Sequence, residues 1–196
     1  IGSYGFGDKV FTTIKVTVYT MAGSLLMFVA ILYLGVAHFN QFGEWSFAYD
    51  SLMQISTIPY DTKVWLFLAF LAAFAIKIPI FPLHTWIMET YKNAPTGAVF
   101  LLSSIMAKLG VYAIVRFMIP IFPDIYVEFS TWFVAIGLFG LIYFGIAALM
   151  QDDIKRMFAY SSASHLSFIS AGIFSLNSYG INGSLYLIIA HAIATG

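Results

Sequence analysis

FAIKIPIFPLHTW, residues 74–86, sets a lysine (Lys77), two prolines (Pro79 and Pro82) and a histidine (His84) inside one of the most apolar parts of the chain. Proline lacks an N–H and its ring clashes with the carbonyl four residues back, so a helix entering this segment breaks near Lys77. Pro82 keeps the next turn irregular. The first half-helix is then expected to end beside the ammonium, turning unpaired carbonyls and the negative end of its dipole towards it. Transporters use broken helices in this way to build ion sites at the bilayer midplane. Irregular backbone is tolerated there only inside protein or around a water-filled cavity. The competing reading is a plain proline kink, which is common in membrane helices.

Composition fixes the class. Of 196 residues 61% are hydrophobic, 18% aromatic and 9% charged, against about 25% charged in soluble domains. A soluble enzyme is excluded. The net charge is zero, so no nucleic acid or polyanionic partner is indicated. The chain has no cysteine, which excludes disulfides, thiolate metal sites and cysteine nucleophiles. No spacing suggests ligands to a metal, iron cluster, flavin or quinone, so no cofactor-binding or metal residue is expected. The chain starts at Ile1 without methionine or signal peptide and stops at Gly196 within an apolar run, which reads as an internal piece of a longer protein.

Apolar stretches of roughly 17 to 25 residues mark candidate membrane helices. They predict an all-α polytopic bundle in a single membrane domain over 1–196, with spans at 10–37, 63–91 (broken at Pro79 and Pro82), 95–118, 129–150, 154–174 and 179–196. The longest loop, 38–61, contains AYDSLMQI, expected as a short interfacial helix. Trp86 and Tyr91 are expected at the membrane interface, as aromatic belts are. Along antiparallel spans one side receives Lys9, Lys15, Lys92, Lys155 and Arg156, and the other Lys63 and Arg116. The first side is therefore cytoplasmic or its organelle equivalent.

Most charges lie at span ends, where long side chains reach the interface. Lys77 and Lys108 do not. At 1.5 Å per residue each lies roughly 15–20 Å from the interface by which its span enters, at a cost of about 2.5–3.5 kcal/mol on insertion scales. His165, in the serine-rich SSASHLSFIS, and His191, in LIIAHAIATG, fall at similar depth on two further spans. Four ionisable groups on four helices, linked by hydroxyls and water, are what a proton path through a bilayer requires. Ser161, Ser164 and Ser167 are the candidate relay hydroxyls. His84 is open to two readings, a relay from the break or a cap on backbone carbonyls. The structural alternative is that the lysines only lock helices together. All nine acidic residues lie in loops or at span ends, so neither lysine has a carboxylate at its own depth; an opposing one is expected from helices outside this sequence.

AIKIPIFPLHTW, APTGAVFLLSSIMAKLGVYAIVRF and QDDIKRMFAYSSASHLSF together resemble the antiporter-like membrane subunits of respiratory complex I. LNSYGINGSLYLIIAHAIATG and KVTVYTMAGSLLMF point to the subunit-M branch, the counterpart of mitochondrial chain 4. The resemblance covers essentially the whole chain. It implies a fold of about fourteen helices with two inverted five-helix repeats, each holding a discontinuous helix, of which about six helices are present here. It implies that Lys77, Lys108, His165 and His191 match the family's proton axis, with an essential glutamate on the helix before Ile1 and a further ionisable residue after Gly196. The implied function is proton translocation as a subunit of NADH:quinone oxidoreductase. NADH, FMN, iron–sulfur clusters and quinone would belong to other subunits, and the partners would be neighbouring membrane subunits and lipid. A bacterial plasma membrane is expected ahead of the mitochondrial inner membrane. In one place the chain departs from the family: LHTW is followed by IMETYKNAPT, where the family usually has proline, an acidic residue, histidine and glutamate before APT. Mrp-type sodium/proton antiporters and membrane-bound hydrogenases, which share LHTW and the lysines, stay open as related alternatives.

Overall fold

The computed structural model describes residues 1–195, so residue 196 of the last expected span lies outside the described residues. The chain is an all-α membrane bundle. Its helices are α1 (Lys9–Phe42), the short α2 (Tyr49–Met53), α3 (Tyr60–Lys77), α4 (Thr85–Asn93), α5 (Thr96–Ile121), α6 (Pro123–Leu149), α7 (Ile154–Ile173) and α8 (Ser178–Thr195). Among the described residues α1, α5 and α6 are long and apolar enough to cross a membrane by length and composition. The α7 helix is diluted by its serines and by Lys155 and Arg156. The AYDSLMQI segment forms α2, as its pattern suggests.

Residues 78–84 separate α3 from α4, so the helix does break at the two prolines, and the Phe81–Pro82 peptide is cis. The carbonyls at the break do not face the lysine as expected. Ile78 N–H bonds Phe74 O at 2.8 Å and Ile80 N–H takes Ala75 O at 3.0 Å. The Trp86 indole N–H donates to Ile76 O at 2.9 Å. Trp86 is 1% exposed and Tyr91 3%, which corrects their expected place at the interface. The amphipathic ring of Trp86 is used inside the protein, where its one donor satisfies a backbone carbonyl that the break has freed. Trp86→Phe keeps an aromatic ring, though a smaller one, and leaves that carbonyl unpaired, which costs about 1–3 kcal/mol before any cavity is counted. A lower unfolding temperature for the full-length variant in detergent is the expected result.

Aromatic side chains fill the space between α3, α6 and α7. Phe67 and Phe70 meet Phe122 with ring centroids 6.2 and 5.7 Å apart, and Phe133 lies 4.8 Å from Phe174. At the α3–α5 contact Gly110 allows close approach: a Cβ there would lie 2.7 Å from Ile78 Cγ1 and 3.2 Å from Lys77 Cβ. That glycine brings the helix carrying Lys108 against the end of the helix carrying Lys77.

The helix bearing Lys108 is itself irregular. Residues Leu102–Met106 and Ile114–Met118 wind as π-turns on either side of Ala107–Ala113. The wider turns shift the hydrogen-bond register, so that Ala107 N–H reaches Leu102 O, five residues back. Such bulges re-aim side chains and backbone carbonyls, and they cluster at functional sites.

Candidate proton-transfer site

Lys108 is 7% exposed. Its ammonium nitrogen donates to Ser103 O, a carbonyl within the first π-turn, and lies 2.7 Å from His191 Nδ1 on α8. On the far side of the ring, His191 Nε2 lies 3.2 Å from Ser162 Oγ on α7. The His165 and His191 ring centroids are 5.4 Å apart. Three of the four predicted axis residues therefore meet in one cluster, with His165 at its edge and exposed on the surface of the described chain.

The electrostatics of the pair are restrictive. Two unit charges 2.7 Å apart repel by about 6 kcal/mol even at an effective dielectric of about 20. Lys108 and His191 are thus not both positively charged. The hydrogen bond between them also needs one proton, because two lone pairs repel. One proton lies between the two nitrogens, donated by Nζ or by Nδ1 according to the tautomer, and Ser162 is placed to donate to Nε2 or to accept from it.

The predicted relay serines are not the ones that touch this pair. Ser164 Oγ donates to Leu141 O at 2.8 Å. Ser167 Oγ is buried against the Gly140 backbone and has no partner among the described residues. Ser161 is half-buried and makes no side-chain hydrogen bond among the described residues. Ser162 takes the contact instead. The available signal was helical spacing, since Ser162 precedes His165 by three residues and shares its face.

Lys77 stands apart. It is half-buried and makes no hydrogen bond or ion pair among the described residues. It lines a cavity of about 310 Å³ with Phe47, Tyr49, Phe70, Phe74 and Phe117. The ion pairs among the described residues are Lys63–Asp124 at 3.9 Å and Arg156–Glu89 at 2.6 Å, so no carboxylate faces Lys77 or Lys108. His84 is 6% exposed, boxed by Phe81, Tyr143 and Phe144, and its Nδ1 has no partner. No hydrogen bond among the described residues joins it to either lysine.

A broken helix and a buried lysine against a histidine, in an all-α membrane bundle, are features of membrane subunits of the proton-antiporter type. Residues 5–196 match the family model described as NADH:quinone oxidoreductase/Mrp antiporter, TM, and the chain belongs to that family. It is 38% identical over 177 residues to NADH-ubiquinone oxidoreductase chain 4 of Chondrus crispus, covering 90% of this chain and 35% of that protein. It is 34% identical over 195 residues to NADH-quinone oxidoreductase subunit M of Rickettsia prowazekii, covering 98% of this chain and 38% of the relative. Among solved structures it superposes on a chain of respiratory complex I from Thermus thermophilus with bound NADH, with a TM-score of 0.84 and 28% identity over 98% of this chain and 40% of that one. The chain thus spans little more than a third of the length of the curated relatives it matches.

Proposed function

We propose that this chain is part of a proton-translocating membrane subunit of NADH:quinone oxidoreductase, of the subunit M and chain 4 type, in a bacterial plasma membrane. The observation that carries the reading is the 2.7 Å contact between Lys108 Nζ and His191 Nδ1, with Ser162 on the ring's second nitrogen. In the unloaded state Nδ1–H donates to the Lys108 amine, and Nε2 accepts from the Ser162 hydroxyl. A proton arriving by water is taken up by the Ser162 oxygen as its own proton passes to Nε2. The Nδ1 proton then moves to Lys108, leaving an ammonium and a neutral ring protonated on Nε2. His165 lies beside His191 for onward exchange, and the π-turn carbonyl of Ser103 holds the ammonium when it forms.

Lys77 would complete the axis across the α3–α5 contact, exchanging with a carboxylate on a helix outside this sequence. Electron transfer through NADH, FMN, iron–sulfur clusters and quinone would take place in other subunits and bias these charges through neighbouring membrane subunits. The test is Lys77→Ala in the full-length, assembled complex. Proton pumping driven by NADH oxidation is expected to be abolished; undiminished pumping would remove Lys77 from the path. The family description also covers Mrp antiporters. Sodium-dependent proton exchange in vesicles without NADH would favour that assignment, and NADH-dependent pumping indifferent to sodium the one proposed.

A further inference from the structure

The first π-turn of α5 and the charge on Lys108 share one carbonyl. In an α-helix Ser103 O accepts from Ala107 N–H, four residues further on. Here Leu102–Met106 winds wide, Ala107 N–H goes to Leu102 O, and the Lys108 side chain takes the carbonyl that is left. The same residue also holds α8. The Ser103 hydroxyl lies 3.0 Å from Thr195 O, at the end of α8, and 3.1 Å from Phe100 O, and donates to them. Ser103 is 2% exposed, so both of its polar groups depend on protein partners. Two donors thus compete for Ser103 O: a backbone N–H, which would restore the α-helix, and a side-chain nitrogen, which holds the turn open. The surroundings let this one turn move. On its C-terminal side Gly110 seats the helix closely against Ile78 and Lys77. On its N-terminal side Thr96–Leu101 bury no side chain, and a Cβ on Gly97 would meet nothing within 4 Å.

We propose that Leu102–Met106 is a two-state turn set by the charge on Lys108: wide, with Ser103 gripping Thr195, while the lysine carries its extra proton, and α-helical once that proton has passed on. A charge-assisted hydrogen bond is roughly twice as strong as a neutral one, and a carbonyl without a good donor is costly in the bilayer interior. A charged Lys108 therefore offsets the cost of the π-turn. A neutral amine, accepting from His191 Nδ1–H, is a weak donor to Ser103 O, and Ala107 N–H displaces it. A change of one residue in register turns Ser103 by about 100° around the helix axis. That movement takes its hydroxyl off Thr195 O and loosens α8, the helix of His191, from α5. Discharge of Lys108 thus weakens its contact with His191, and reloading awaits the return of the wide turn. The proposal rests on the proton role of Lys108 and His191, and it adds the backbone element that their charge moves.

Cryo-electron microscopy of the full-length, assembled complex tests it through variants that change the charge at this one position. In Lys108→Met the turn should close: Leu102–Met106 winds as α-helix, Ala107 N–H moves from Leu102 O to Ser103 O, and the Ser103–Thr195 bond is lost. Lys108→Arg keeps a positive charge and N–H donors, and should keep both the wide turn and that bond. Lys108→Gln, polar but uncharged, carries the same expectation as Lys108→Met and stands in for it should that variant fail to assemble. A wide turn in the uncharged variants, or a closed one in Lys108→Arg, overturns the proposal. The maps read winding and not transport, so the two failures are told apart: normal pumping by Lys108→Met removes the lysine from the proton path, whereas a turn that stays wide removes the switch alone.

Discussion

Lys108→Met, introduced into the full-length protein, is expected to leave the complex assembled while proton pumping per NADH oxidised falls by roughly tenfold or more, the effect of raising a barrier by at least about 1.4 kcal/mol. Methionine nearly matches the side-chain length and lies easily among apolar neighbours, but it cannot hold a proton. His191 would lose the base 2.7 Å from its Nδ1, so a proton loaded through Ser162 would have no acceptor. Stability should not suffer. Removing an ammonium from the bilayer interior relieves a cost of about 2.5–3.5 kcal/mol, offset in part by the lost bonds to Ser103 and His191. A lysine that only locked helices together would give the opposite pattern, with poor assembly and normal pumping by whatever did assemble. Quantifying assembled complex by native gel beside pumping in vesicles separates the two.

Gly110→Val should prevent assembly. The added Cβ alone would lie 2.7 Å from Ile78 Cγ1 and 3.2 Å from Lys77 Cβ, and valine's two methyl groups extend further into the same seam. Overpacking of this kind costs typically about 1–3 kcal/mol. Here the cost falls on the contact that sets α5 against the break, so the Lys108 helix would be pushed away from α3. Full-length protein carrying Gly110→Val is expected to be depleted from the membrane fraction by immunoblot. Gly110→Ala, which adds only the Cβ, should reduce the amount less.

The class of fold was legible because bilayer insertion imposes strong rules on composition: long apolar runs with lysine and proline at fixed places leave little choice but a helical bundle with one broken member. Pro79 and Pro82 located the break correctly, since a missing N–H is a property of the residue itself. What satisfies the freed carbonyls was not legible. Trp86 does so from ten residues away in sequence, and its indole could equally have marked an interface. The Lys108–His191 contact is likewise carried by tertiary packing across 83 positions of sequence; depth along each span put both residues in one layer without fixing which of them touch. That Ser162, and not Ser161, Ser164 or Ser167, touches His191 was not legible for a plainer reason. In a helix with five serines between Ser161 and Ser170, counting hydroxyls does not identify a face, and of the two that lie one turn before His165 it is Ser162 that meets His191. The π-turns around Lys108 left no trace in LLSSIMAKLG that pattern could read.

The central claim is that one proton moves within the Lys108–His191 pair. Infrared difference spectroscopy of the assembled complex during turnover, with ring-labelled histidine and a His191→Gln control to assign the bands, tests it most directly. The account predicts that His191 alternates between its Nδ1–H and Nε2–H tautomers as Lys108 gains and loses its proton, with bands that vanish in the control. A His191 ring that keeps one tautomer throughout turnover, beside an ammonium that never gives up its proton, would contradict it.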